Sequence, residues 1–251
     1  MKLRRINVLK TDSGINSQRE LLARCNQAID LTGVRGVRFC GELKDFINLE
    51  KHLHDLKPGI SFLGTGDFHH LTIYFLDKLP ITPQLLLFDH HSDMIEPLPG
   101  TISCGSWVRV ALLQKKIKRC IIVGLNPKDE AISDKGFYGK VAFFPENIPH
   151  EKKLSQVIKQ VLDSPEPLYI SIDKDVLSPG ESFTNWDQGS MTLNELVDFL
   201  KIISQTKTIV GVDICGEWPA PVHEILYTAQ DREKIKINQE ANLKILDGLY
   251  K

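Results

Sequence analysis

The sequence has no surplus of charge of either sign. Its 31 Lys and Arg face 32 Asp and Glu, a formal net charge of −1, so nothing points to nucleic acid or an anionic membrane surface as partner. No apolar run approaches the roughly 18 residues of a membrane span. The basic start, Met1 to Asn7, is not followed by the apolar stretch of a signal peptide. The five cysteines, Cys25, Cys40, Cys104, Cys120 and Cys215, are odd in number and contain no C-x-x-C pair. Neither a disulfide framework nor a thiolate zinc site is expected, and reduced thiols in a cytoplasm fit best. Internal repeats, low-complexity tracts and clear linkers are also missing. The 251 residues therefore read as one domain over 1–251, large enough to bury its core without staples.

What is present is an alternation. Short apolar runs, each followed by Gly, Asp or Asn, predict buried parallel strands over 60–64, 84–88, 120–124, 168–172 and 208–213, with 37–40 and 141–144 as further candidates. Amphipathic stretches predict helices over 16–31, 43–56, 105–116, 151–162 and 192–204, and from about 222 toward 249. Thr192-Leu193-Asn194-Glu195 has the form of a capping box. Residues 126–150 read as a surface excursion around the 141–144 strand. The pattern implies an α/β fold of three layers, a mostly parallel sheet covered by helices on both faces.

Open α/β sheets bind ligands at the carboxyl ends of their strands, so the residues that follow each strand matter most. They are Thr65-Gly66-Asp67-Phe68-His69-His70, Asp89-His90-His91-Ser92-Asp93, Asp173-Lys174-Asp175, and Asp213-Ile214-Cys215-Gly216-Glu217. In extended backbone, residues two apart point the same way, so Asp89, His91 and Asp93 can converge, as can Asp173 and Asp175. Taken singly, each motif also reads as helix caps or loop residues; their joint position after apolar strands carries the functional reading. So many carboxylates on one buried edge call for a cation. Oxygen-rich donors with imidazole and no thiolate suit Mn²⁺, with Mg²⁺, Fe²⁺, Co²⁺ or Zn²⁺ as alternatives, and their number suits two ions rather than one.

This set resembles the arginase–agmatinase–formiminoglutamase family, the ureohydrolases, whose blocks are G-G-D-H-S, D-A-H-x-D and S-x-D-x-D-x-x-D-P. The first block corresponds to residues 65–70, the second to 89–93 and the third to 171–179, in family order. The resemblance implies an arginase-like fold and a hydrolase of C–N bonds in linear amidines. It also implies two Mn²⁺ ions, one held by His69, Asp89, Asp93 and Asp173, the other by Asp89, His91, Asp93, Asp173 and Asp175. Phe68 is an insertion ahead of the histidines, which leaves His70 as an alternative to His69. A hydroxide between the ions would attack the planar guanidino or amidino carbon, Asp93 would share in proton transfer to the leaving amine, and Glu217 would face the guanidinium.

The chain departs from the family in two places. Cys104 stands where a proton-shuttling His is usual, so it is either a working thiol or an inert one, and arginine itself is put in doubt as substrate. Ser178 replaces the third-block Asp. Trp186 and Asp187 follow the third block as candidate substrate contacts, and Lys174 is expected to point away from its flanking Asp residues, into structure or toward a carboxylate. The substrate would be a small molecule or a peptide arginine, and a homo-oligomer fits the family. Two rival readings are a deacetylase-like amidohydrolase with one zinc, whose paired histidines His90-His91 mimics, and a non-catalytic metal-binding relative.

Overall fold

The computed structural model describes residues 5–34, 37–42, 44–137 and 139–250. The strands in chain order are β1 (Ile6–Lys10), β2 (Gln27–Asp30), β3 (Cys40–Glu42), β4 (Ile60–Phe62), β5 (Gln84–Phe88), β6 (Thr101–Ser103), β7 (Cys120–Leu125), β8 (Val141–Pro145), β9 (Leu168–Asp173) and β10 (Ile209–Cys215). The α-helices are α1 (Ser13–Asn16), α2 (Arg19–Arg24), α3 (Asp45–Leu53), α4 (Thr72–Asp77), α5 (Trp107–Leu113), α6 (His150–Asp163), α7 (Leu193–Thr206) and α8 (Ala229–Leu249). Eight strands form one sheet in the order β2-β1-β4-β10-β9-β5-β7-β8, and every pairing in it is parallel.

Side chains alternate across this sheet as the pleat requires. Leu86 and Phe88 of β5, Ile121 and Val123 of β7, and Ile170 and Ile172 of β9 join one core with Val157 of α6, Phe199 and Leu200 of α7, and Ile245 of α8. Leu85, Leu87, Cys120, Ile122 and Tyr169 face the other way and pack with Ile73 of α4 and Trp107, Val108 and Ala111 of α5. The three layers expected from the sequence are thus present. The Thr192 capping box on α7 is also formed, and Thr228 with Asp231 makes a second one on α8. Among the described residues no helix is long and apolar enough to cross a membrane.

Three expected elements need correction, and one strand is new. The helix over 16–31 is instead α1, α2 and the edge strand β2, because the chain turns extended at Cys25 (φ −73°, ψ 143°) and pairs with β1. Strand β1, buried over Ile6 to Leu9, was not expected at all. The 37–40 strand begins only at Cys40 and pairs antiparallel with β6, apart from the main sheet. The last helix starts at Ala229, beyond a short 3₁₀ turn over Glu224–Leu226. Of the helix expected over 43–56, Leu43 lies outside the described residues.

Candidate metal centre

Strands β4, β10, β9 and β5 are neighbours in the sheet. The chain leaving three of them carries the histidines and carboxylates: a 3₁₀ turn over Gly66–Leu71 holds His69, Asp89 follows β5 directly, and Asp173 ends β9 ahead of the turn Lys174–Val176.

Below this edge a polar row crosses the otherwise apolar sheet, with Asn7, Ser61, Asp213 and Ser171 as successive register partners. Ser171 Oγ donates to Asp213 Oδ1 at 2.5 Å and Tyr169 OH donates to Asp213 Oδ2 at 2.8 Å. The serine's single proton being spent, Ser171 Oγ accepts from His69 Nε2, 2.8 Å away. That fixes the ring so that Nδ1 faces Asp93 Oδ2 at 3.0 Å, Asp89 Oδ2 at 3.3 Å and Asp173 Oδ2 at 3.7 Å.

The second histidine is anchored differently. The His91 main-chain N–H donates to Asp89 Oδ1 at 2.7 Å. Its ring Nδ1 lies 2.9 Å from Asp175 Oδ2 and 3.6 Å from Asp89 Oδ1, and its Nε2 lies 3.0 Å from Asp187 Oδ1. Asp93 has a left-handed backbone (φ 53°), a conformation few non-glycine residues adopt. Trp107 Nε1 donates to its Oδ2 at 2.6 Å and Val108 N donates to its carbonyl at 3.1 Å. Asp173 accepts from Asp175 N at 3.0 Å and from Cys215 Sγ at 3.1 Å. Gly216 (φ 85°) permits this approach, since a β-carbon there would lie 2.5 Å from Asp173 Oδ1.

All four carboxylates, Asp89, Asp93, Asp173 and Asp175, are buried. Burial raises the pKa of each, and neighbouring carboxylates add to it; Asp173 and Asp175 are pushed up to about 6. Burial opposes the charged forms of His69 and His91. The hydrogen bonds of Asp89 and Asp93 outweigh it at His69, and those of Asp175 and Asp89 outweigh it at His91, so both imidazoles are raised. Asp89 Oδ2 is buried with no hydrogen-bond partner, a costly state for an isolated oxygen. Donor atoms of His69, Asp89 and Asp93 lie within 4.8 Å of one another, as do those of Asp89, His91 and Asp175, and those of His69, Asp173 and Cys215. The first two groups share Asp89. An orphaned carboxylate oxygen among carboxylates short of counter-charge fits a pair of divalent cations. Burial, followed by the charge of Asp173, raises the Cys215 thiol, so Cys215 serves Asp173 as an S–H donor.

His70, the alternative to His69, is buried and joins none of the donor groups; burial and then the adjacent His69 lower it to about 3. Glu217 needs correction as a substrate contact. It is buried, and its carboxylate accepts from Gln18 (2.6 Å), Lys174 (2.6 Å), Asn242 (2.7 Å) and Asn238 (3.2 Å), which leaves it saturated and closed to a ligand. Lys174 points away from Asp173 and Asp175 into that buried ion pair, as expected. Asp187 lies against His91, its Oδ1 3.0 Å from the ring Nε2, with its side chain largely exposed. Trp186 lies beside the site, its Nε1 donating to Asp67 Oδ1 at 3.1 Å. Burial, and next the charge of Asp93, push the Cys104 thiol up to about 12.

The residues that sequence reasoning left without a role are Tyr169, Ser171 and Asp213 behind His69, Trp107 behind Asp93, and Asp67. A signal for the first three exists in the sequence: polar side chains at alternate positions inside otherwise apolar strands.

Comparison with known proteins gives the following. The sequence profile of the Arginase family matches residues 66–224. An uncharacterized protein of Thermotoga maritima is 31% identical over 238 residues, 95% of this chain and 87% of that protein. Formimidoylglutamase from Bacillus subtilis superposes with a TM-score of 0.73 at 18% identity, covering 98% of this chain and 86% of that one. Proclavaminate amidino hydrolase from Streptomyces clavuligerus superposes with a TM-score of 0.69 at 14% identity, covering 100% and 94%.

Proposed function

The chain belongs to the arginase family, and from that premise we propose that it hydrolyses an amidino or guanidino C–N bond with the help of two divalent cations. The observation that carries this reading is Asp89, which belongs to two overlapping donor groups. His69, Asp89, Asp93 and Asp173 would hold one cation; Asp89, His91, Asp93, Asp173 and Asp175 would hold the other. Carboxylate oxygens with two imidazoles match the preference of Mn²⁺. When bound, such a pair supplies an acidified water and positive charge at the attacked carbon. Two overlapping groups do not suit the one-zinc deacetylase reading.

The protein's own residues supply the rest. Asp93 would carry a proton to the leaving amine; the Trp107 hydrogen bond and the left-handed backbone keep its carboxylate aimed into the cluster. The Ser171–Asp213–Tyr169 chain keeps His69 in the tautomer whose lone pair faces the carboxylates. Asp187 does the same for His91 from the opposite side, as carboxylates commonly do for metal-bound histidines. Asp187→Asn is therefore expected to weaken binding of the cation at His91 by about 10–100-fold, read by titration calorimetry with Mn²⁺; unchanged affinity would free Asp187 for another role.

The test of the activity is turnover. Protein loaded with Mn²⁺ is incubated with a panel of amidines and guanidines, including peptide arginine, and release of urea, ammonia or amine is followed. Release that depends on metal and on Asp93 is the expected result. A protein that holds two metals and turns over none of the panel is a non-catalytic relative.

A further inference from the structure

We infer that this site takes an amidine or guanidine carried on an apolar, preferably aromatic, body that lies against Trp186 and Phe39; the inference rests on the hydrolase reading above and names its substrate class.

Trp186 adjoins the cluster directly. A β-carbon at Gly66 would lie 2.7 Å from Asp173 Oδ2 and 2.9 Å from Trp186 Cδ1, so one glycine touches both a proposed ligand and the indole. The Trp186 ring lies 5.9 Å from the His91 ring and 6.4 Å from the Phe39 ring. The three rings form a continuous wall that starts at His91 and runs outward. Trp186 is 38% exposed and Phe39 44%, so the wall presents apolar surface to solvent beside the reacting centre, where exposed apolar area marks a binding surface.

The wall is built to hold its shape. Asp67, two residues from His69 and fully buried, accepts from Trp186 Nε1 at 3.1 Å, Asn185 Nδ2 at 2.8 Å and Arg38 Nε at 2.9 Å. Its carbonyl accepts from Phe39 N at 2.9 Å, and the Phe39 carbonyl accepts from Cys104 N at 2.8 Å. Phe39 has a left-handed backbone (φ 63°), a strained state for a bulky side chain that persists only where its surroundings enforce it. Strain that holds an aromatic ring in solvent beside a catalytic cluster is accounted for by a ligand that covers the ring.

The charges along the wall are already matched. The Arg38 guanidinium is bound to Asp67 and lies over the Phe39 ring, 4.8 Å from its centroid. Asp187 is bound to His91. Among the described residues the wall offers no unpaired cation for a substrate carboxylate, whereas a phenyl or branched alkyl group gains burial against it.

The test uses the metal-loaded protein and binding calorimetry with benzamidine, acetamidine and L-arginine. Benzamidine is expected to bind at least about ten-fold more tightly than acetamidine or arginine, because only it covers the wall. Trp186→Ala removes most of that advantage and Trp186→Phe keeps it, with metal content unchanged in both. Equal affinities, no binding of benzamidine, or a preference that survives Trp186→Ala each overturn the inference. Turnover of arginine or acetamidine without an aromatic preference keeps the hydrolase reading and rejects this one. Tight, Trp186-dependent benzamidine binding with no turnover of any apolar amidine does the reverse.

Discussion

Asp89→Ala is expected to remove both cations at working metal concentrations and turnover with them. The residue contributes to both donor groups, one oxygen facing His69 and the other accepting from the His91 backbone. Loss of a residue that merely orients a metal ligand costs about 10–100-fold in affinity; loss of a ligand shared by two ions is expected to exceed about 100-fold at each. The effect appears in thermal melting too. Metal at a hundred times its dissociation constant stabilises the native state by about 2.7 kcal/mol, which for a chain of this size raises the midpoint by about 5–11 °C. Wild type should show that rise with Mn²⁺ and Asp89→Ala should not. A variant that keeps the rise has lost no shared ligand.

Glu217→Gln is expected to cost about 3–5 kcal/mol of stability, the usual consequence of leaving one member of a buried ion pair alone, and to lower the melting midpoint by about 6–20 °C. Lys174 and Glu217 have side chains only 0% and 2% exposed, so the substitution would leave Lys174 buried without its counter-charge or water. The same carboxylate joins α8, through Asn238 and Asn242, to Gln18 and to the turn between Asp173 and Asp175. The variant tests two roles at once. A carboxylate that contacts substrate would raise KM and leave the midpoint in place; a carboxylate that supports the fold lowers the midpoint and leaves the KM of the surviving protein near wild type.

Burial explains how much of this was legible in the sequence. Strands β5, β7 and β9 are buried along their whole length and read as mainly apolar runs, so their ends, and the chemistry on those ends, could be located. The edge strand β2 is half-exposed and follows α2 after a short break, so its residues blended into a helical pattern. Its partner β1 was hidden in a start that composition marks only as basic. The metal-centre histidines and carboxylates lie close in sequence to strand ends, and local spacing brought them out. Glu217 was misread because direction reverses with each residue: the site side of that turn belongs to Gly216, whose β-carbon position faces Asp173, and the next side chain points into the fold. Asp187 could not be tied to His91, 96 residues away, because nothing local marks a contact made only when the two loops meet.

The most direct measurement is metal content per chain, by elemental analysis of protein grown with manganese and never exposed to chelator, with calorimetric titration to follow. Close to two ions per chain, lost in Asp89→Ala, is the result predicted by two donor groups that share one carboxylate. One tightly held ion, or none retained across Mn²⁺, Fe²⁺, Co²⁺, Ni²⁺ and Zn²⁺, would contradict it.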